Sequence, residues 1–85
     1  MKKYTYPAVV FYDEENDKYI LSLYDMGLME EGDTVEEVHE KCKKSLGLFL
    51  RCAKVFESEV PEASTFESVM QKYPKNLCIL VEASI

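Results

Sequence analysis

The sequence lacks any apolar run that approaches the roughly 20 residues a helix needs to cross a bilayer. Its first residues, Met1-Lys2-Lys3, lead into a strand pattern and not into the apolar core of a signal peptide. Cysteine is scarce and odd in number, which does not suit the disulfide framework of a small secreted domain. These absences predict a cytoplasmic protein without membrane attachment.

Positive charge is also scarce. Ten lysines and arginines stand against 16 aspartates and glutamates, giving a net charge of −6. A nucleic-acid binder normally shows a basic patch, so we expect no direct binding of nucleic acid and favour a basic partner. The 85 residues have room for one domain, 1–85. A chain this short buries only about 60 to 65% of its unfolded surface, so a partner or an oligomer would help it.

Groups that could carry catalysis are few. His39 is the only histidine, and no second histidine stands at ligand spacing. Asp13, Asp17 and Asp25 fall in a turn or at a strand end, whereas a two-metal nuclease needs several converging carboxylates. None of the cysteines has a histidine or CxxC neighbour that would make a reactive thiolate. The sequence therefore predicts no enzyme, no catalytic residue, no metal site and no cofactor.

The clearest element is one long amphipathic helix over residues 32–56. Thr34 and Glu37 have the spacing of a capping box, which marks its start. Apolar residues then recur at steps of three or four, so they form one stripe that must face apolar surface. The predicted stripe contains Val35, Val38, Cys42, Leu46, Phe49, Ala53 and Phe56. Among these, we expect Phe49 to be an anchor of the core.

The other elements follow from β-branched and aromatic runs and from turn signals. Residues 4–12 and 18–24 predict an antiparallel hairpin around a polar turn. A short third strand fits within 25–32. Ser64 and Glu67 repeat the capping-box spacing, so a short helix should run from Phe66 to about Lys72, and 77–83 predicts a last strand.

Both faces of the first and last predicted strands are apolar. One long helix can cover one face of a small sheet, so the second face is left either to the short helix or to another chain. A large exposed apolar patch would mark an interaction surface. We therefore predict a homo-oligomer, a dimer or larger, with Val9 and Phe11 in or near its interface.

Four segments, taken in order, resemble the N-terminal domain of HicB-type antitoxins. They are Tyr6-Pro7-Ala8-Val9-Val10 opening a hairpin, Asp25 directly after the second strand, Gly32-Asp33-Thr34-Val35-Glu36-Glu37-Val38 leading into a helix, and Val60-Pro61-Glu62-Ala63-Ser64 before a short helix. The match covers nearly the whole chain. The sequence departs from the family at Asp25-Met26-Gly27-Leu28-Met29, which lacks the usual Pro-Gly pair. Full-length family members also often carry a C-terminal DNA-binding module, which these 85 residues do not contain, so we do not expect operator binding from the resemblance.

The resemblance implies an α+β, partial RNase H-like fold. Three antiparallel strands would lead into the main helix, which packs on one face of the sheet, and the last strand would return parallel to the first after the short helix. It also implies an antitoxin-like protein that self-assembles and that binds and masks a small basic mRNA-cleaving toxin, a HicA-type RNase. The alternative is a stand-alone homo-oligomeric HicB-like scaffold or ligand-binding protein without a toxin partner.

An acidic stretch supports a basic partner. No lysine or arginine occurs between Tyr19 and Glu40, and seven acids do. Acids in the first turn of the long helix suit the helix dipole. Glu30 and Glu31 lie outside it, and a negative surface is what would compete with RNA for a basic nuclease face. We therefore predict partner contacts at Asp25, Glu30 and Glu31.

Overall fold

The computed structural model describes residues 1–85 as a four-stranded sheet with one helix on each face. The strand order is β3-β2-β1-β4, and every neighbouring pair is antiparallel. This confirms the predicted α+β class and element order. The elements are β1 (Lys3–Asp13), β2 (Lys18–Leu23), β3 (Met29–Gly32), α1 (Val35–Val55), α2 (Phe66–Lys72) and β4 (Leu77–Ser84).

The predicted start of α1 is confirmed in atomic detail. The Thr34 hydroxyl accepts a hydrogen bond from the Glu37 backbone N–H at 3.0 Å. The Glu37 carboxylate in turn accepts at 3.4 Å from the N–H of Asp33, the residue before the cap, and not from the N–H of Thr34 as in a standard capping box. Neither helix combines the length and the apolar composition that a membrane span requires.

The core between α1 and the sheet departs from the predicted helix stripe in its last two turns. Leu50 is 1% exposed and belongs to this core, whereas Phe49 is half-buried and Phe56 is 76% exposed. The reason is that α1 packs through steps of four from Val38 to Leu50, which turns its buried face away from Phe49. The core residues are Tyr6, Ala8, Val10, Leu21, Leu23, Val38, Cys42, Leu46, Leu50 and Val81.

The second face of the sheet is covered by the chain itself. Helix α2 packs on β1 and β4, and its Val69 is fully buried. Val9, which points to this face, is only 2% exposed. Of the two alternatives that the sequence left open, the short helix is therefore the one that covers this face. Val9 offers no area to a second copy, so self-association remains a prediction that requires another surface.

Phe11 lies on the same face and is half-buried. Its ring meets the ring of Tyr73 edge to face, with centroids 5.8 Å apart. Such aromatic pairs contribute roughly 0.5 to 1.5 kcal/mol beyond area burial. Phe11 thus anchors the end of α2 within the chain, although part of its ring remains exposed.

Strand β4 runs opposite to the direction that the resemblance implied. Leu77 pairs with Val10 and Ser84 with Lys3, so β4 is antiparallel to β1 and not parallel to it. The reason lies in α2. Helix α1 ends beside the start of β1, and α2 then carries the chain back along the outer face to the far end of β1. There the Asn76 amide donates to the carbonyl of Val10 at 3.2 Å, and β4 begins.

We expect Leu50→Ala to lower the free energy of unfolding by about 2 to 5 kcal/mol, because it leaves a cavity beneath α1. Met70→Ala is the matched control, since it shortens an apolar helix residue that is 44% exposed. Its loss should stay within about 1 kcal/mol. Urea titration of the two variants measures both values, and equal losses would show that the buried face of α1 has been assigned incorrectly.

Candidate protein-binding surface

Acidic side chains from three separate segments meet at one end of the sheet. Tyr19 pairs with Gly32, so the end of β3 and the start of α1 lie beside the β1–β2 turn. We call this surface the acidic end; it comprises Asp13, Glu14, Glu15, Asp17, Glu31, Asp33, Glu36 and Glu37. The sequence shows the acids of the turn and of the helix separately, and only the β2–β3 register brings them together.

Two lysines neutralise part of the acidic end. Lys18 donates to the Asp33 carboxylate, and this hydrogen bond lowers the pKa of Asp33. The ammonium of Lys41 lies 3.1 Å from the carboxylate of Glu37, one helical turn away. Both pairs are exposed, so each contributes little to stability. The acids of this surface that form no ion pair are Asp13, Glu14, Glu15, Asp17, Glu31 and Glu36.

The tip of the acidic end is ordered by its own hydrogen bonds. Asp13 accepts from the backbone N–H of Glu15 at 3.1 Å and from the side-chain amide of Asn16 at 2.8 Å, and these bonds lower the pKa of Asp13. Asp17 accepts from the Tyr12 hydroxyl, which raises the pKa of Tyr12 to about 12. The turn therefore holds its negative charges in fixed positions near neutral pH.

Glu30 and Glu31 occupy different environments although they are neighbours. Glu31 is exposed, and its carbonyl accepts from the Lys41 ammonium at 2.7 Å. Glu30 points to the opposite side and is half-buried, where it accepts from the Ser45 hydroxyl at 2.5 Å. Burial, and secondarily the charge of Glu30, raise the pKa of Cys42 to about 12. Only Glu31 thus presents its carboxylate at the surface without an internal hydrogen bond.

Asp25 lies apart from the acidic end. Its carboxylate accepts from the backbone N–H of Ser64 at 2.9 Å and from the Ser64 hydroxyl at 2.5 Å. Ser64 is therefore not the cap of α2; Thr65 takes that place and accepts from the Ser68 N–H at 3.2 Å. Both oxygens of Asp25 thus hold the α1–α2 connection, and the partner contact predicted at Asp25 from the sequence stays a prediction.

The remaining chemistry-bearing side chains are scattered. His39 Nε2 lies 3.2 Å from the carbonyl oxygen of Leu80, which ties α1 to β4. Cys42 is buried, Cys78 is half-buried and Cys52 is exposed, and all three thiols are free. No cluster of three or more histidine, cysteine, aspartate or glutamate side chains has the geometry to hold a metal ion.

An open cleft of about 690 Å³ lies at the end of the sheet opposite the acidic end. It opens between the second half of α1, the start of β1 and the end of β4. Its walls are mainly apolar, with Lys2 and Lys54 among the lining residues. A cleft of this volume falls within the range of small-molecule sites.

Comparison with known proteins gives one informative match. No protein-family model matches the chain, and no curated protein does. A solved chain from Streptococcus pneumoniae has a similar fold, with a TM-score of 0.83 over 98% of this chain and 70% of that chain. That chain comes from a toxin–antitoxin complex. Sequence identity is 18%, so the likeness shows a shared fold.

We expect Asp25→Ala to destabilise the isolated chain by about 1 to 3 kcal/mol, because the Ser64 N–H and hydroxyl lose their common acceptor. Glu14→Ala is the control: it removes an exposed acid that makes no hydrogen bond, and it should change the free energy of unfolding by less than about 0.5 kcal/mol. Thermal or urea unfolding provides the measurement. A neutral Asp25→Ala would return Asp25 to the residues that are free to contact a partner.

Proposed function

We propose that this chain is the antitoxin-like half of a toxin–antitoxin pair. In this proposal it binds and masks a small basic toxin of the HicA type that cleaves mRNA. The observation that carries the proposal is the acidic end, where six acids without an ion pair converge from the β1–β2 turn, β3 and α1. The shared fold with a chain of a toxin–antitoxin complex supports it, as does the resemblance to HicB-type antitoxins in sequence.

The physical basis is competition for a basic surface. A nuclease that takes RNA needs cations facing the phosphates, and those cations are also attracted by fixed carboxylates. The Asp13 turn holds its acids in place before binding, so little ordering is needed when the partner arrives. Charge complementarity of this kind mainly raises the association rate and suppresses wrong partners.

We further propose that the chain acts by contact and not by catalysis. The aspartates that a nuclease would use do not converge, since Asp13 and Asp17 lie in the β1–β2 turn and Asp25 is engaged by Ser64 at a different place. The histidine that could serve as a base interacts with a backbone carbonyl. The same proposal assigns the protein to the cytoplasm, where mRNA and a toxin acting on it would be found.

A stand-alone ligand-binding protein is the second candidate, and the apolar cleft favours it. The two candidates use opposite ends of the sheet, so one experiment can separate them. If a toxin partner exists, changes at the acidic end should alter binding while changes at the cleft should not. If the chain binds a small apolar ligand instead, the half-buried cleft residues Tyr4 and Val60 should govern affinity.

We expect Glu14→Lys with Glu31→Lys to slow association with an inactivated basic toxin about tenfold at low salt and to flatten its salt dependence. The melting temperature should stay nearly unchanged, since both side chains are exposed. The test uses the product of a short basic reading frame sought beside the gene for this chain, with its catalytic residue replaced. Surface plasmon resonance at two ionic strengths measures the rates.

The matched control carries the same change of net charge at the opposite end of the sheet. Glu62→Lys with Glu82→Lys should alter the association rate far less, because both residues lie near the start of β1. Equal slowing in the two variants would mean that only net charge matters and would remove the acidic end as the site. No binding by the unmodified chain would favour the stand-alone protein.

A further inference from the structure

Strand β4 forms one edge of the sheet, and no strand pairs with its outer side. Lys2 and Ile85, which extend the β1–β4 ladder, exchange both of their backbone hydrogen bonds, at 2.9 and 3.0 Å. Because bonded and non-bonded pairs alternate in an antiparallel ladder, every second residue of β4 directs its N–H and C=O groups away from β1. The residues that point outward are Cys78, Leu80, Glu82 and Ser84.

This edge lacks most of the features that protect edge strands from pairing. Natural edges are commonly short, or are interrupted by proline, lysine or a bulge. Strand β4 has eight residues without proline or lysine, and its register with β1 is continuous over Leu77–Ser84. At the opposite edge, β3 has only four residues, and Lys41 donates to its Glu31 carbonyl. On β4, the ring of His39 contacts the Leu80 carbonyl, and the other outward groups are open.

A groove of about 490 Å³ runs between the end of β4 and α1, and we call it the edge groove. Residues 82–84 form its β4 wall, and its α1 wall includes Lys43, Gly47 and Arg51, which recur at every fourth residue. Gly47 is buried, and a Cβ at this position would meet only the Arg51 guanidinium, at 3.8 Å. The missing side chain at Gly47 thus leaves space directly beside the free edge.

The edge groove is cationic although the chain as a whole carries a net charge of −6. Both acids that line it are already paired with lysines, at 3.6 and 3.4 Å. Lys44 and Arg51 line it and form no ion pair. A basic toxin would be repelled here, and a second copy of the chain would bring the same cations. Charge complementarity therefore selects an acidic occupant from another protein.

The two sides of the free edge differ in chemistry. Side chains of a strand alternate between the faces of a sheet. Val81 is buried beneath α1, whereas Leu80 points to the α2 face and is 46% exposed. Side chains that lie opposite one another in paired strands share a face. A strand added at this edge would therefore place every second side chain beside Leu80 and the others toward the cations of the edge groove.

We propose that the free edge of β4 binds an extended segment of another protein in which acidic and apolar residues alternate. The segment adds to the four-stranded sheet as a further strand. Its carboxylates face Lys44 and Arg51, and its apolar side chains contact Leu80. Strand addition of this kind draws affinity from main-chain hydrogen bonds and specificity from alternate side chains. The edge groove lies beside the start of β1, away from the acidic end, so this inference does not depend on the proposed toxin.

Fluorescence anisotropy with a capped, labelled hexapeptide of alternating glutamate and valine tests the site. The peptide should bind saturably to the unmodified chain, and a lysine–valine peptide should bind at least about tenfold more weakly. Lys44→Glu with Arg51→Glu should weaken the glutamate–valine peptide by a similar factor. The matched control is Lys54→Glu with Lys75→Glu, which changes the net charge equally at exposed residues outside the edge groove. Absence of saturable binding, or equal weakening by the two double variants, would overturn the proposal.

Methylation of peptide nitrogens tests whether the backbone of the peptide pairs with β4. A strand directs the N–H groups of alternate residues to opposite edges, so methylating only the valine nitrogens, or only the glutamate nitrogens, removes the donors of one edge. One methylated peptide should bind at least about tenfold more weakly, and the other within about threefold of the parent. Equal affinities of the two would exclude strand addition. A hexauridine RNA that binds as tightly as the parent peptide would also overturn the proposal, because the cations alone would then decide binding.

Filling the edge groove gives an independent readout. Gly47→Tyr should weaken the glutamate–valine peptide at least about fivefold, because the new side chain occupies the space beside β4. Gly47→Ala is the matched control and should bind within about twofold of the unmodified chain, since its Cβ enters only van der Waals contact with Arg51. Neither variant should lower the melting temperature, because glycine is the poorer helix former. Unchanged affinity in Gly47→Tyr would place the peptide elsewhere and overturn the assignment.

Discussion

Burial of β1 on both of its faces is the constraint on which the rest of the structure depends. Residues 6–10 are all buried, with alternate side chains facing α1 and α2. A strand buried on both sides needs two covering layers, and a chain of 85 residues has to supply both. The long α1 covers one face. The other is closed by only seven residues of helix, of which Val69 is fully buried.

The second layer explains features that otherwise look unrelated. Because α2 must cross the outer face, the chain arrives at the far end of β1 and β4 runs antiparallel to it. The connection that carries the chain across is fastened twice, by Asp25 to Ser64 and by the Tyr6 hydroxyl to the Pro61 carbonyl at 2.8 Å. A half-buried carboxylate and a buried phenol thus serve topology.

The sequence predicts those parts of the fold that local rules decide. The Thr34 cap and the first hairpin follow from capping chemistry, turn composition and period, whereas the cap of α2 lies at Thr65, one residue after the predicted Ser64. The sequence pattern does not identify Leu50 as a core residue, because a step of three or of four from Leu46 fits the helix period equally well. Only the angle at which α1 packs on the sheet selects Leu50 over Phe49. The strand direction and the role of Asp25 depend on partners 39 to 66 residues away in sequence, which no local pattern contains. The acids were visible, but their meeting at one end depends on the β2–β3 register.

Helix α1 is much longer than the strand β3 that lies beside it, so the two halves of the helix have different surroundings. Its 21 residues extend about 30 Å, whereas the four residues of β3 extend about 13 Å. Over the first part, β3 lies beside the helix and engages it through Ser45 and Lys41. Beyond Ser45, no strand continues on that side, and the flank of the helix from Leu48 onward faces solvent. A longer β3 would cover this flank. The short edge strand thus leaves a charged surface at one end of α1 and an apolar surface at the other.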